Sequence, residues 1–229
     1  MRNPCIIEPM RCTLDHLTIT ASTLESGVEF AQRALGVAPT GGGRHPRMGT
    51  HNALWRLGAT RFLEVIAVDT AAPPPARPRW FALDDAVATA TPRLATWVAR
   101  TDDLRACPAA LLEDVGLIEP MSRGEREWLI TIRPDGRPAL GGVLPSLIEW
   151  ATPRTPAALA LADTGCDLLG LVLAHPQPGR LRAMLATLGL ADDVEVVHGA
   201  PGLSARVSTP HGPRLLGADP VHGFSSAAP

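Results

Sequence analysis

The chain has 229 residues, of which 45% are hydrophobic and 19% are charged, with a formal net charge of -2 at pH 7. This is the composition of an ordinary globular protein, and the balanced charge disfavours a nucleic-acid partner because it provides no strong field for a polyanion. No stretch approaches the ~20 apolar residues of a membrane span, and charged residues interrupt the amino-terminal segment, so neither a membrane helix nor a secretory signal is predicted.

A strand, a helix and a hairpin are predicted in turn near the amino terminus. Leu14 to Thr20 alternates as a strand, and a capping box that begins at Ser22 starts a helix. The apolar face of this helix runs from Leu24 to Leu35, and Gly36 can end it. A glycine-rich loop is expected at Gly41 to Pro46.

The hairpin consists of two strands, Thr50 to Leu57 and Arg61 to Val68, joined by a tight turn at Gly58 and Ala59. The proline tract Ala71 to Pro78 is poor in N–H donors and ends this unit.

An internal repeat is indicated by three correspondences in the same order. Residues 94–104 can be laid over residues 14–24, and residues 120–129 over 47–56, so that Trp128 falls on Trp55. The third correspondence places Glu149 on Glu64. We therefore predict two βαβββ modules, at residues 12–70 and 94–152, that together form one domain at 12–152.

A third, partial module is predicted at residues 166–217. It starts with a buried strand from Leu168 and a helix from Pro178 to Leu188, and three short strands follow. Residues 151–163, rich in Pro and Ala, are expected to be a linker, and residues 218–229 a disordered tail.

The sequence resembles the bacterial glyoxalase-like domain proteins of the vicinal-oxygen-chelate superfamily over residues 12–216. The most specific pieces are RHPRMGTHNAL, which begins at Arg44, and RPRWFALD, which begins at Arg77. The resemblance implies an α+β fold in which tandem βαβββ modules form cupped mixed sheets with helices on the outer face.

The resemblance also implies a site, because metal ligands in that superfamily come from the first and last strands of each module. His16 and Glu64 would then point into one cup, with Glu149 as a third ligand. Such a set suits Zn²⁺, Ni²⁺, Mn²⁺ or Fe²⁺. The sequence departs from the pattern at Thr96, where the second module should supply its first-strand ligand, and a metal-free pocket is equally consistent with that gap.

Further residues are candidates for chemistry and for binding. Glu64, Glu149 and His51 are the candidate general acids or bases. Arg44 and Arg47 are expected to hold a substrate carboxylate. The remaining candidate substrate contacts are His45, Asn52, Trp55 and Trp128.

Two functions follow from this interpretation. The first is a metal-dependent enzyme that acts on a small oxygenated metabolite by isomerase, lyase or dioxygenase chemistry. The alternative is a metal-free protein that binds or sequesters a small molecule in the same cup. The four cysteines have no zinc-site or C-x-x-C spacing and are expected to be free thiols in the cytoplasm. Whether modules complete one another within one chain or across a homodimer is left open.

Overall fold

A computed structural model of the protein describes residues 11–107, 109–152 and 157–217. The tail predicted to be disordered, 218–229, and Cys5 lie outside these residues. The fold is mixed α+β, with a curled sheet of eight strands and a second sheet of four strands. None of the described helices has the length and apolar character that crossing a bilayer requires.

The first module matches its predicted elements closely. Helix α1 begins and ends as expected, although its cap is Thr23, whose hydroxyl accepts from the Ser26 amide, and not Ser22. Gly36 ends the helix in a left-handed conformation. The elements are β1 Cys12–Thr20, α1 Leu24–Leu35, β2 Gly41–His45, β3 Thr50–Leu57 and β4 Arg61–Val68.

The predicted glycine-rich loop is instead the edge strand β2, which pairs antiparallel with β3. Glycine weakens a strand because it contributes no side chain, so its sequence pattern indicated a loop. Pairing with the strongly apolar β3 overrides that preference.

The second module repeats the arrangement. Its last strand, β8, runs parallel to its first, β5, just as β4 runs parallel to β1. The two modules join where β1 pairs antiparallel with β5, and the strand order is β2-β3-β4-β1-β5-β8-β7-β6. The elements are α2 Ala86–Thr89, β5 Arg93–Thr101, α3 Ala109–Val115, β6 Leu117–Arg123, β7 Arg126–Ile132 and β8 Ser146–Thr152.

The curled sheet has two buried faces. Its outer face carries Leu17, Trp55 and Trp97, which pack against α1 and the four-stranded sheet. Its inner face carries a separate apolar cluster that includes Val98, Trp128 and Ile148. Because side chains alternate along a strand, the register of each strand decides which residues reach the inner face.

The four-stranded sheet has the order β10-β9-β11-β12 and supplies apolar side chains to the outer-face core. Unlike the first two modules, it places its first strand next to its second, in parallel, and next to its third, antiparallel. Its elements are β9 Asp167–His175, α4 Pro178–Thr187, β10 Glu195–His198, β11 Gly202–Ser208 and β12 Arg214–Gly217.

The predicted linker at 151–163 contains regular structure among its described residues. Strand β8 extends to Thr152, and a short 3₁₀ turn spans Ala157–Ala160. Ala157 and Ala158 are buried against Leu54 and Phe62 of the curled sheet. Small side chains allow this segment to pack closely, although Pro and Ala content alone favoured a linker.

Gly27 sets the distance between α1 and the curled sheet. A Cβ at this position would lie 2.5 Å from the Val65 Cγ1 and 2.9 Å from the Ala21 Cβ. We therefore expect Gly27→Ala to lower the free energy of unfolding by about 1–3 kcal/mol, although alanine is the better helix former. Urea unfolding measures this. The control is Gly179→Ala in α4, where a Cβ would meet nothing within 4 Å. It should be neutral or stabilising, and equal effects of the two substitutions would contradict the packing argument.

Candidate functional site

A pocket of about 440 Å³, including its open mouth, lies on the inner face of the curled sheet. Aromatic walls combined with a few converging polar groups are typical of small-molecule sites. Its polar wall is formed by His16, His45, Asn52, Glu64 and Arg123, hereafter the polar cluster. Its aromatic wall is formed by Phe62, Trp80, Phe81, Trp128 and Trp150.

A bulge in β1 brings two neighbouring polar residues together. The β1–β5 register shifts between Leu14 and His16, so Asp15 is an extra residue in the ladder. The His16 Nδ1 lies 2.7 Å from the Asp15 Oδ1. The other Asp15 oxygen accepts from the Trp150 Nε1 at 3.0 Å and lies 3.6 Å from the Arg100 Nη1. The fully buried Asp15 carboxylate therefore fixes the His16 ring through its Nδ1, the ring nitrogen that does not face Glu64.

His16 faces Glu64 across the pocket floor. Its Nε2 lies 3.6 Å from the Glu64 Oε2, and its ring stacks on Phe62 with 4.3 Å between centroids. In the tautomer whose Nδ1–H donates to the Asp15 carboxylate, the His16 Nε2 presents a lone pair to the pocket. The pair can therefore hold or move a proton.

Glu64 and Arg123 are joined through a neutral amide. The Asn52 Nδ2 donates to the Glu64 Oε1 at 2.6 Å, and the Asn52 Oδ1 accepts from the Arg123 Nη1 at 3.1 Å. The same Nη1 lies 3.4 Å from the His45 Nε2. The amide therefore orients both charged groups while leaving them apart.

His45 is a neutral member of the polar cluster. Burial, followed by the nearby positive charge of Arg123, lowers the pKa of His45 from 6.5 to about 3. The Arg123 guanidinium can only donate, so the His45 Nε2 accepts and its Nδ1 donates to the Thr50 Oγ1 at 3.1 Å.

The loop after the proline tract closes one side of the pocket. Phe81 and Ala82 both adopt left-handed backbone conformations, with φ of 58° and 57°. Such conformations cost about 1–3 kcal/mol in non-glycine residues and cluster at functional sites. The Ala82 amide donates to the Gly136 carbonyl at 2.9 Å, which holds the loop in place. This loop is the RPRWFALD segment of the sequence.

The structure brings five predicted site residues to the pocket: His16, His45, Asn52, Glu64 and Trp128. It places five others elsewhere: Arg44, Arg47, His51, Trp55 and Glu149.

Glu149 does not lie with Glu64. On β8, Ile148 and Trp150 line the pocket, so Glu149 between them faces the outer side, where its Oε2 accepts from the Leu104 amide at 2.8 Å. The repeat alignment that matched Glu149 to Glu64 is therefore shifted by an odd number of residues, because it pairs side chains on opposite faces. A shift of one residue moves a side chain to the opposite face.

The same error affects Trp55, which was matched to Trp128. Trp55 is buried in the outer-face core, and its Nε1 donates to the Val37 carbonyl at 2.9 Å. His51 lies between Thr50 and Asn52, which both serve the polar cluster, so the alternation of β3 turns His51 to the other face.

The two arginines expected to hold a carboxylate have other partners. Arg44 is largely exposed and lies 3.5 Å from the Asp69 Oδ2. Arg47 donates to the Glu119 Oε2 at 2.6 Å and to the Pro120 carbonyl. The arginine in the pocket is Arg123, which comes from the second module.

Sequence reasoning missed Arg123, Asp15, Trp80 and Phe81. Asp15 had a usable signal, since a second polar residue beside His16 in an apolar strand indicates a bulge or a buried pair. Arg123 had none, because only the folded sheet brings the end of β6 beside β2 and β3.

The residues present do not fit the divalent metal that the superfamily pattern implies. Opposite His16 on β5 stands Val98, and the inner-face residue of β8 is Ile148, so the second module contributes hydrocarbon where ligands are needed. Thr96 is buried and donates to the Gly142 carbonyl at 3.1 Å. Within the described residues, no group of three or more His, Cys, Asp or Glu side chains could hold a metal. The possible metal ligands that remain in the pocket are His16 and Glu64, because the His45 Nε2 already accepts from the Arg123 guanidinium.

Comparison with known proteins gives a family and a fold. The family profile described as Glyoxalase-like domain matches residues 14–189. No curated protein matches. A hypothetical protein from Staphylococcus aureus is similar over 86% of this chain and 81% of its own, with 12% identity and a TM-score of 0.52.

Two further solved structures are methylmalonyl-CoA epimerases. One, in complex with methylmalonyl-CoA and NH4+, covers 65% of this chain and 100% of its own, with 17% identity and a TM-score of 0.43. The other, from Mycobacterium tuberculosis, covers 60% of this chain and 87% of its own, with 19% identity and a TM-score of 0.42.

Neutral, buried His45 makes stability depend on pH. Between its ordinary pKa of 6.5 and its folded pKa of about 3, the unfolded chain binds a proton that the folded chain does not. Stability is therefore lost as the pH falls, by about 2 kcal/mol from pH 7 to pH 5 for this one group. Urea unfolding at the two pH values should show that His45→Gln loses this part of the decline, while His51→Gln keeps it. Equal pH dependence in the two variants would contradict a buried neutral His45.

Proposed function

The chain belongs to the glyoxalase-like domain family, and on that basis we propose that it binds a small, largely apolar molecule in the inner-face pocket without a divalent metal. The observation that carries the proposal is the division of the pocket into a polar cluster and an apolar half. The polar cluster fixes the orientation of a ligand, and the aromatic wall covers its body.

The electrostatics of the pocket support binding without a metal. Glu64 is buried, yet its carboxylate already interacts with Asn52 and His16. A divalent ion beside Arg123 would meet a positive charge and two apolar side chains, Val98 and Ile148, in place of ligands. The ligand therefore interacts with the side chains themselves.

A second function, proton transfer on the bound molecule, is favoured by the Asp15–His16–Glu64 arrangement. An acidic C–H next to a carbonyl group, placed against the His16 Nε2, would give up its proton to that nitrogen. The electron pair left behind would move onto the carbonyl oxygen as an enolate, and Asn52 or Arg123 could donate to it. Delivery of that proton by His16 to the enolate oxygen, directly or through the adjacent Glu64, would complete a keto–enol isomerisation, and its return to the carbon would complete a hydrogen exchange.

Binding is tested by tryptophan fluorescence with metal-free protein. A screen of small fragments that carry one apolar ring and one polar group should yield ligands that change the emission of EDTA-treated protein. Trp128→Phe should reduce this change, because Trp128 is one of three tryptophans that line the pocket. The matched control is Trp55→Phe on the outer face, which should keep it.

Metal analysis of protein purified without an affinity tag completes this test. We expect far less than one divalent ion per chain, and no change in melting temperature on addition of Zn²⁺, Ni²⁺ or Mn²⁺. Stoichiometric metal that disappears in His16→Ala and Glu64→Gln would contradict the proposal and restore the metal-dependent enzyme.

Proton transfer is tested by deuterium exchange. Phenylpyruvate has an acidic methylene group beside a carbonyl, and the wild-type protein should speed its exchange in D₂O, as followed by proton NMR. His16→Asn should reduce the protein-dependent rate by about 10²-fold or more, the usual contribution of a general base. His175→Asn in the four-stranded sheet is the matched control. Equal rates for both variants would leave the pocket a binding site only.

A further inference from the structure

Arg123 reaches the pocket from a distant part of the fold. It is the last residue of β6, at the tip of the β6–β7 hairpin, and it contacts residues of β2 and β3 from the first module. Both contacts, to Asn52 and His45, are made by its Nη1. The guanidinium thus belongs to the second module but serves the polar cluster of the first.

The other donors of Arg123 are not engaged. Among the described residues, neither the Nε nor the Nη2 has a hydrogen-bond partner, and no carboxylate lies within 4.0 Å of the guanidinium. Burial lowers the pKa of Arg123, and attraction to Glu64 opposes that effect. The cation is therefore partly desolvated, held by two neutral groups, and keeps free donors in a geometry that matches a carboxylate.

Gly43 in β2 leaves room for this side chain. A Cβ at Gly43 would lie 3.1 Å from the Arg123 Cδ and 3.3 Å from its Nη1. The edge strand thus has no side chain at the point where the arginine passes. This close approach gives a physical reason for glycine at that position in a strand.

Trp80 lines the same pocket and carries a second unpaired donor. Its indole Nε1 is buried and has no hydrogen-bond partner in the part of the chain that the structure describes. Buried tryptophan N–H groups normally find an acceptor. The wall of the pocket therefore contains a further unpaired donor, although other atoms cover it, whereas the Glu64 carboxylate already has two neighbours.

From these observations we propose that the pocket selects small monocarboxylates with a flat apolar body, and that Arg123 receives the carboxylate through its free donors. This inference rests on the proposed binding function and adds the class of ligand. The body would pack between Phe62 and Trp128. A single cation near the negative charge of Glu64 suits one negative charge better than the two of a phosphate.

The experiment compares each acid with its neutral amide. The probes are benzoate, phenylacetate, 3-phenylpropionate and cyclohexanecarboxylate with the corresponding carboxamides, measured by ligand-observed NMR and tryptophan fluorescence. The acid of at least one pair should bind about tenfold or more tightly than its amide. Arg123→Gln should remove that preference, because it should weaken binding of the acid about tenfold more than binding of the amide.

A second variant displaces the Arg123 side chain without substituting that residue. Gly43→Val should displace the guanidinium and reduce the preference for the acid about fivefold or more, with amide binding retained. Its matched control is Gly170→Val, also at a strand glycine, where a Cβ would meet nothing within 4 Å and the preference should be unchanged. Melting temperatures identify any variant that has not folded.

The outcomes separate the two proposals. Amides that bind as tightly as their acids, or a preference that survives in Arg123→Gln, would overturn the carboxylate inference and leave the binding pocket in place. If no acid and no amide binds, while other fragments do, the carboxylate inference also fails. If no fragment of any kind binds, the proposed function itself fails.

Discussion

The structure depends on the compensation of two carboxylates that are buried on one face of a curled sheet. An unpaired buried charge costs several kcal/mol, so Asp15 and Glu64 are tolerable only where partners meet them. Asp15 has His16, Trp150 and Arg100, and Glu64 has Asn52 and His16. These partners come from β1, β3, β5 and β8, so the polar contacts fix how the strands of both modules align.

The two modules of the duplicated sheet differ in the chemistry of their inner faces. The first module supplies the carboxylates, imidazoles and amide, whereas the inner face of the second supplies Val98, Ile130 and Ile148, with Arg123 as its cation. A symmetric sheet can hold an ion between two similar halves. An asymmetric one is suited to an asymmetric ligand, with one polar end and one apolar end.

Local patterns predicted the first module well. Periodicity and capping located α1 at Leu24–Leu35, and alternation located the hairpin strands Thr50–Leu57 and Arg61–Val68, because these signals lie within one element. The contributions of His16 and Glu64 to one pocket followed from the family resemblance. The placement of Glu149 and Trp55 was wrong because few identities define the repeat, and an error of one residue reverses the face.

What could not be predicted depends on contacts between distant segments. Arg123 reaches Asn52 only when the second hairpin folds over β2, and Phe81 reaches the pocket only in a left-handed conformation that the Gly136 carbonyl supports. Pairing with β3 likewise turned the predicted glycine loop into a strand. No periodicity within one element encodes such relations.

The bulge at Asp15 has a consequence for assembly. Its carboxylate crosses the junction between the modules, with His16 on one side and Trp150 on the other. If two chains exchanged their second modules, each Asp15 would meet an identical indole from the other chain. A swapped dimer would therefore rebuild the same polar contacts around each pocket, and each chain of the dimer would keep one pocket like that of the monomer.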